Sequence, residues 1–279
     1  MPMNYLKTTI LLSLISGILL GIGYFFGGTL GVTIALILAL GFNFFSYWYS
    51  DKIVLAIYHA KEVSQKESPR LHKIMDELCK EYSLPKPRIC IVPDKNANAF
   101  ATGRGKKHSV VAFTRGIIDL MNDSELKGVA AHELAHIKNK DILIASIVAM
   151  IATAISYVAF IARFAAFSVG SEEEGGHSGL EILVLSLLAP ILALLIQTMI
   201  SRTREYIADE TAAKTMKSGL PLANALQRLK DDQTEMILGN SSSAHLFIKN
   251  PFKGEGLLTL LSTHPPLDER IQRLKSMII

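Results

Sequence analysis

Long apolar segments dominate the pattern of the sequence and predict membrane helices. The four segments lie at about residues 6–26, 29–49, 142–167 and 180–200. Each is close to the ~20 residues that an α-helix needs to cross a bilayer. The glycine pair Gly27 and Gly28 separates the first two segments, so we expect a helical hairpin and not a cleaved signal peptide. The pattern predicts a mainly α membrane protein with about four transmembrane helices.

Two features make the third and fourth segments less regular. Arg163 lies within the third segment, where its long side chain would have to reach the membrane surface. Pro190 interrupts the fourth segment, and a proline inside a span requires neighbouring groups to satisfy the freed carbonyl. A buried helical hairpin in a soluble core therefore stays open as the alternative for this pair.

The alternation of apolar and polar segments predicts four regions. These are a transmembrane hairpin, a polar region, a second membrane hairpin and a second polar region, at residues 1–50, 51–141, 142–200 and 201–279. Basic residues concentrate in the polar regions, whereas the connection between the third and fourth segments is acidic and contains Glu172, Glu173 and Glu174. Lysine and arginine are retained on the cytoplasmic side, so we expect both termini and both polar regions in the cytoplasm.

Composition agrees with a membrane protein and gives no sign of a nucleic-acid partner. Hydrophobic residues make up 49% of the 279 residues, and charged residues make up only 19%. The basic residues of the polar regions explain the net charge of +4, and no basic run is interleaved with aromatic residues. The predicted partner of this chain is therefore the lipid bilayer, with no nucleic acid.

The first polar region contains the sequence HELAH at residues 132–136, which matches the HExxH pattern of zinc hydrolases. Asp123 and Ser124 are expected caps of a helix that carries this sequence. Residues four apart lie on one face of a helix, so both histidines can bind one zinc ion. Glu133 is offset from them and could act as general base on a water molecule. Because the pattern also arises by chance on amphipathic helices, its context must decide.

A zinc site on His132 and His136 needs a further protein ligand. The sequence downstream lacks the extension that would supply a third histidine. The best candidates follow the fourth apolar segment, where Glu205 and Asp209 are four residues apart on a predicted helix. One carboxylate could bind the metal while the other orients a ligating histidine. The alternative is a solvated helix with alternating charges.

Distance from the predicted membrane boundary favours the metal site. His136 precedes Asp141, where one apolar segment begins, by the same five residues that separate Ile200, where another ends, from Glu205. At ~1.5 Å per residue, both side chains would stand roughly 8 Å above the membrane if each helix is continuous. We therefore predict one zinc ion per chain, with Glu205 as its third ligand and Asp209 behind the ligands.

These elements together resemble the HtpX family of membrane zinc proteases, which are relatives of the type I CAAX prenyl proteases within the gluzincin group. The matching stretches keep their order and spacing over most of the chain, at residues 98–103, 130–141, 201–209 and 264–270. The resemblance implies an integral membrane endopeptidase of the bacterial inner membrane or archaeal plasma membrane. It also implies that polypeptide substrates, namely damaged or misassembled membrane proteins, are cut from the cytoplasmic side in a stress response.

The resemblance also implies a role for the end of the chain. In that family a His-Pro element approaches the active site, so His264 would donate to the developing oxyanion, with Arg270 nearby. The alternative is structural, because Pro265 and Pro266 can set the start of a helix.

A small β-sheet is expected beside the zinc helix, within a cytoplasmic zincin-like domain. Residues 88–92 and 109–114 are rich in β-branched residues and predict strands. Residues 98–102 precede the second strand across a turn-like stretch, which predicts a hairpin with an exposed edge. An extended substrate could pair with that edge through the main chain of Asn98, Ala99, Phe100 and Ala101. The alternative for this stretch is an ordinary loop.

Two other functions stay open at the level of sequence. A catalytically inactive membrane scaffold that binds misfolded helices would not need the residues of a complete metal site, which are intact as His132, Glu133, His136 and Glu205. A membrane-tethered aminopeptidase would need a site for a free amino terminus, and no such motif is visible. We therefore expect a zinc metalloendopeptidase that hydrolyses internal peptide bonds.

Overall fold

The computed structural model describes residues 54–145, 179–232, 234 and 264–277, together with scattered positions between 18 and 52 and between 147 and 159. The chain divides into two compact units, which comprise residues 1–46 with 145–201 and residues 47–144 with 202–279. The second unit contains the strands that the structure describes and all the residues of the predicted metal site.

A four-stranded sheet organises the second unit. Its strands in chain order are β1 (Lys61–Glu62), β2 (Arg88–Val92), β3 (Ala99–Arg104) and β4 (His108–Thr114). The spatial order is β1-β2-β4-β3, in which β2 and β4 are parallel and the two outer pairs are antiparallel. Both strands predicted from β-branched residues are confirmed, and β3 lies at an edge of the sheet. The predicted exposure of this edge is wrong, because the residues from Ala99 to Gly103 are buried.

The strand before β4 confirms the predicted hairpin and excludes an ordinary loop. In this hairpin Ala99 pairs with Phe113, and Arg104 pairs with His108. Gly103 has a φ of +112°, and a Cβ atom there would lie 2.2 Å from the carbonyl oxygen of His108. Glycine is therefore required at this position to bring the two strands together.

The helices that the structure describes from end to end are α1 (Pro69–Tyr82), α2 (Arg115–Leu120), α3 (Asp123–Asn139), α4 (Gly179–Met216), α5 (Leu220–Asp231) and α6 (Leu267–Ser276). In the second unit α3 packs against α1, α5 and the sheet, and α5 packs against α6. α3 is buried on most of its surface, since 11 of its 17 residues are buried, and the polar residues His132 and Glu133 are among them. The HELAH sequence therefore lies on the central helix of this unit.

The start of α3 differs by one residue from the prediction. Asn122 is the N-cap and Glu125 completes a capping box with it, so the predicted caps Asp123 and Ser124 are wrong. Farther along the helix, Gly128 lets α5 approach closely. A Cβ atom at this position would lie 2.6 Å from the backbone nitrogen of Leu222.

The position where α3 ends contradicts the predicted height of His136 above the membrane, which assumed a continuous helix. The helix stops at Asn139, and Lys140 takes the left-handed conformation with φ 59°. A new helical stretch begins at Asp141. The helix that carries the two histidines is therefore not the start of the third apolar segment, and their distance from it cannot be counted along one helix axis.

The first unit is described mainly through the amino-terminal half of α4. Among the described helices, α4 is the one long and apolar enough to cross a membrane, by length and composition. It continues through Pro190, and many of its large apolar side chains are exposed, among them Leu180 at 70% and Ile191 at 53%. The predicted first hairpin, the predicted third segment and the acidic connection lie largely or wholly outside the described residues.

Candidate metal centre

The two histidines of the HELAH sequence converge, as residues four apart on a helix should. Nε2 of His132 and Nε2 of His136 are 3.0 Å apart, and the two rings meet edge to face. His132 is buried, and His136 is partly exposed. α3 therefore presents two nitrogen donors at one point, and His136 is the more exposed of the two.

Glu205 of α4 brings a carboxylate to the same point. One of its oxygens lies 3.6 Å from Nε2 of His132, and the other lies 3.5 Å from Nε2 of His136. Ligands of a tetrahedral zinc ion with bonds of ~2.1 Å are roughly 3.4 Å apart. The three residues have these separations, so they fit a zinc ion that keeps one position for water or substrate.

A buried arginine holds two carboxylates of the site in place. Nη1 of Arg270 lies 3.0 Å from Oε2 of Glu205. Its Nε and Nη2 atoms donate to both oxygens of Asp209, at 2.9 and 2.7 Å. Burial opposes ionisation of Glu205, but the Arg270 guanidinium holds the pKa of that carboxyl well below its usual range. Glu205 is therefore ionised at neutral pH, as a metal ligand must be.

Each histidine has a carboxylate beside its other ring nitrogen. Nδ1 of His132 lies 3.0 Å from Oδ1 of Asp209, and Nδ1 of His136 lies 2.8 Å from Oδ2 of Asp141. A carboxylate in this position fixes the ring orientation and leaves Nε2 for the metal. The predicted pair thus lies around one histidine: Glu205 is beside Nε2 of His132, and Asp209 is beside its Nδ1.

The sequence placed Asp141 at the start of an apolar segment and within the stretch that resembles the HtpX family, but it did not connect Asp141 with His136. The left-handed residue Lys140 turns the chain, so that Asp141 comes back toward the last turn of α3. Arg204 donates to Asp141 and to the carbonyl oxygen of Asn139. The sequence contained one feature that could have indicated this contact, namely a carboxylate five residues after His136, where the apolar segment begins.

Glu133 is buried within the same turn of α3 and is 2% exposed. Burial raises the pKa of its carboxyl, although the neighbouring histidines act in the opposite direction. A carboxyl with a raised pKa is suited to accept a proton and then to release it.

The structure also brings His264 to the metal centre. Its Nδ1 atom lies 3.5 Å from Oε2 of Glu205, and the residue is buried. α6 begins at Leu267, directly after Pro266, so the predicted helix start is confirmed as well. The catalytic and the structural interpretation of this element are therefore compatible.

The main-chain groups of β3 point alternately toward β4 and toward the edge of the sheet, and the residues Ala99 to Gly103 are buried. Asn98 accepts a hydrogen bond from the backbone N–H of Thr114, so its main chain faces β4. Antiparallel strands alternate in this respect, which directs the N–H groups of Ala99 and Ala101 to the edge. The N–H of Ala99 donates to the side chain of Asn98, at 3.2 Å. Ala101 is therefore the best placed of the predicted residues to pair with an added strand.

These donors and their supporting carboxylates define a metal-dependent peptidase, and comparison with known proteins agrees. The sequence profile of peptidase family M48 matches residues 65–278. The protease HtpX homolog of Aquifex aeolicus is 49% identical over 266 residues, which are 93% of this chain and 88% of the relative. The protease HtpX homolog of Pyrococcus furiosus is 46% identical over 276 residues, or 98% of this chain and 96% of the relative. The chain therefore belongs to peptidase family M48 and is a metalloprotease of the HtpX type.

A solved structure shares the fold. Ste24p of S. mikatae superposes with a TM-score of 0.58 over 94% of this chain, at 20% sequence identity. The chain spans 62% of the length of Ste24p. This similarity extends the fold to a second group of proteins and says nothing about substrate.

Proposed function

We propose that this chain is an integral membrane zinc endopeptidase that cuts misfolded or damaged membrane proteins from the cytoplasmic side of the membrane. The observation that supports it most strongly is the convergence of His132, His136 and Glu205 at the separations of a tetrahedral zinc site. M48 peptidases are zinc metalloproteases, and the donor set of two imidazoles and one carboxylate is that of catalytic zinc. The single cluster of this kind among the described residues supports one zinc ion per chain.

When bound, the zinc ion would polarise the scissile carbonyl and lower the pKa of a bound water molecule. Glu133 accepts the proton of the attacking water on its carboxylate and passes it to the leaving amine. Its buried position supports this role, because a carboxyl shielded from solvent holds the proton for the second transfer.

The groups around the ligands orient them. Asp209 fixes the ring of His132, and Asp141 fixes the ring of His136. Arg270 lies against Glu205 and Asp209 and is fully buried, so it acts on the reaction by positioning these carboxylates. His264 stands at the side of Glu205, from where it donates to the oxyanion that develops on the substrate.

The substrate binds in an extended conformation along the edge of β3. The edge position of β3 supports this, and so does the contact between β3 and α3, the helix of the two histidines. Main-chain pairing tolerates many side chains, which suits a protease that removes misfolded proteins of varied sequence. It also requires the substrate to be locally unfolded.

The membrane arrangement has two transmembrane hairpins, at 1–50 and 142–200, and two cytoplasmic regions, at 51–141 and 201–279. The apolar, exposed half of α4 supports the last of the four spans. The distribution of basic residues supports a cytoplasmic active site.

Metal analysis and cleavage of the same purified, full-length protein test the proposal. We expect about one zinc per chain, cleavage of unfolded casein, and loss of both on treatment with a chelator. A peptide blocked at its amino terminus should be cut as well as a free one. Cleavage of the free peptide alone would indicate an aminopeptidase, and a metal-loaded protein without any cleavage would indicate a scaffold.

A further inference from the structure

A basic pocket of about 380 Å³ lies at one end of the sheet, and none of the metal-centre residues lines it. β2 begins there with Arg88, β3 ends there with Arg104, and Lys107 lies in the turn that follows. Lys52 and Lys86 complete the basic lining. Five cationic side chains thus surround one small cavity on the second unit.

The carboxylates near the pocket balance only part of this charge. Lys86 forms an ion pair with Asp76 at 2.8 Å, and Arg88 forms one with Asp51 at 3.0 Å. Asp51 is the acidic residue of the pocket lining, so its charge is already engaged. Among the residues that the structure describes, no carboxylate forms an ion pair with the other three cations, which are Lys52, Arg104 and Lys107. The pocket therefore has an excess of positive charge and favours an anion.

Aromatic rings hold two of these three cations in place. The guanidinium of Arg104 stacks on the indole of Trp48, 4.3 Å from the ring centroid. The ammonium of Lys52 lies 5.8 Å from the ring centroid of Tyr49. A stacked guanidinium keeps its N–H edge available, and this edge matches the oxygens of a phosphate group. The pocket thus combines preorganised donors with unbalanced charge.

The aromatic residues also place the pocket relative to the predicted membrane. Trp48 and Tyr49 end the second apolar segment, and they are 44% and 40% exposed. Tryptophan and tyrosine are enriched at the level of lipid headgroups. Because these two residues line the pocket, a lipid headgroup can reach it when residues 29–49 span the bilayer.

We propose that this pocket binds the phosphate group of an anionic lipid headgroup. The phosphate chemistry follows from Lys52, Arg104 and Lys107. The lipid as its source follows from the position of Trp48 and Tyr49, and this part rests on the proposed membrane arrangement. A zwitterionic headgroup is disfavoured, because the carboxylate that could meet its cationic group, Asp51, is bound to Arg88.

The chain contains one tryptophan, Trp48, so tryptophan fluorescence reports directly on this pocket. The full-length protein in an uncharged detergent is titrated with short-chain phosphatidylglycerol, phosphatidylcholine of the same chain length, and inorganic phosphate. We expect a saturable fluorescence change with phosphatidylglycerol. The same response to phosphatidylcholine would overturn the recognition of charge, and equal binding of inorganic phosphate would overturn the lipid source.

Two matched triple variants test the residues. Replacing the three unbalanced cations (Lys52→Gln, Arg104→Gln, Lys107→Gln) should weaken phosphatidylglycerol binding by at least about tenfold, since each cation near an anionic lipid contributes to affinity. The control removes the same charge from exposed positions outside the pocket, with Lys66→Gln, Lys73→Gln and Lys95→Gln. It should bind within about twofold of the parent protein. Equal losses in both triple variants would show general charge attraction and overturn the pocket.

A double variant keeps the proposal testable if the triple variant, which loses Arg104, fails to fold. Lys52→Gln with Lys107→Gln leaves the contact between Arg104 and Trp48 intact, and it should weaken binding in the same direction. Unchanged binding by a folded double variant contradicts the proposal. Zinc content and casein cleavage are measured in parallel, so that failure of the lipid site is distinguished from failure of the proposed protease function.

Discussion

Nδ1 of His136 and Oδ2 of Asp141 are 2.8 Å apart, although the helix that carries the histidine ends between them. The contact exists because α3 ends at Lys140, whose left-handed conformation lets Asp141 approach the last turn of the helix. Asp141 is in turn held by Arg204 of α4. The orientation of one predicted metal ligand therefore depends on a helix cap and on an arginine 63 residues away.

The first prediction concerns Asp141. Asp141→Asn should reduce zinc affinity by about 10- to 100-fold, because the amide aligns the His136 ring less strongly than the carboxylate does. Zinc release is followed by competition with a coloured chelator. Asp123→Asn is the control, since Asp123 forms an exposed ion pair with Arg70 far from the ligands. Equal zinc affinities of the two variants would contradict the orienting role.

A second prediction separates metal binding from proton transfer. Glu133→Gln should retain zinc and lower the rate of casein cleavage by about 10²- to 10⁴-fold, because it removes the proton acceptor. Glu205→Ala should lose zinc as well, because it removes a ligand. Metal analysis beside the cleavage assay distinguishes the two. Full zinc content and activity in Glu205→Ala would show that the third ligand is another residue.

A third prediction concerns the edge of β3. Ala101→Pro removes the N–H that faces away from β4, and it should raise the KM for an unfolded substrate while zinc remains bound. Ala101→Val keeps that N–H and adds bulk, so it is the matched control. Melting curves of both variants check the fold. If Ala101→Pro cuts casein with the parental KM, strand addition at this residue is excluded.

A fourth prediction concerns the packing of α3. Gly128→Ala should destabilise the protein by about 1–3 kcal/mol, because a Cβ atom would lie 2.6 Å from the backbone of α5. The measurement is a lowered midpoint of thermal unfolding in detergent. Ser124→Ala, at an exposed position in the first turn of the same helix, should leave the midpoint nearly unchanged. A parental midpoint for Gly128→Ala would mean that α5 can move away without cost.

The last prediction concerns membrane topology. A reporter fused after residue 175 should be extracytoplasmic, and reporters after residues 95 and 279 should be cytoplasmic. Each position is fused in turn to alkaline phosphatase, which reports an extracytoplasmic location, and to green fluorescent protein, which reports a cytoplasmic location. A cytoplasmic signal after residue 175 would show that the third and fourth apolar segments do not span the bilayer.

Much of the local structure could be predicted from the sequence. The β-branched residues of β2 and β4 predicted both strands, and the turn-like stretch with Gly103 and Gly105 predicted the hairpin. The four-residue spacing of the two histidines predicted that they converge, because helical geometry alone decides it. Such features depend on residues close together in the chain, and their physical causes are local.

What only the tertiary structure decided involves residues far apart in the chain. The sequence predicted Glu205 as the ligand and Asp209 behind it, but the height argument for this choice fails where α3 ends. The division of roles depends on how α4 lies against α3. The burial of Arg270 between these carboxylates and the return of Asp141 to His136 depend on packing and on one left-handed residue. The sequence by itself determined which donors are present and which helix carries two of them. Packing decided which carboxylate oxygen lies beside each histidine nitrogen. Distances of a few ångströms between side chains of separate helices depend on the whole core, and they leave no periodic pattern in the sequence.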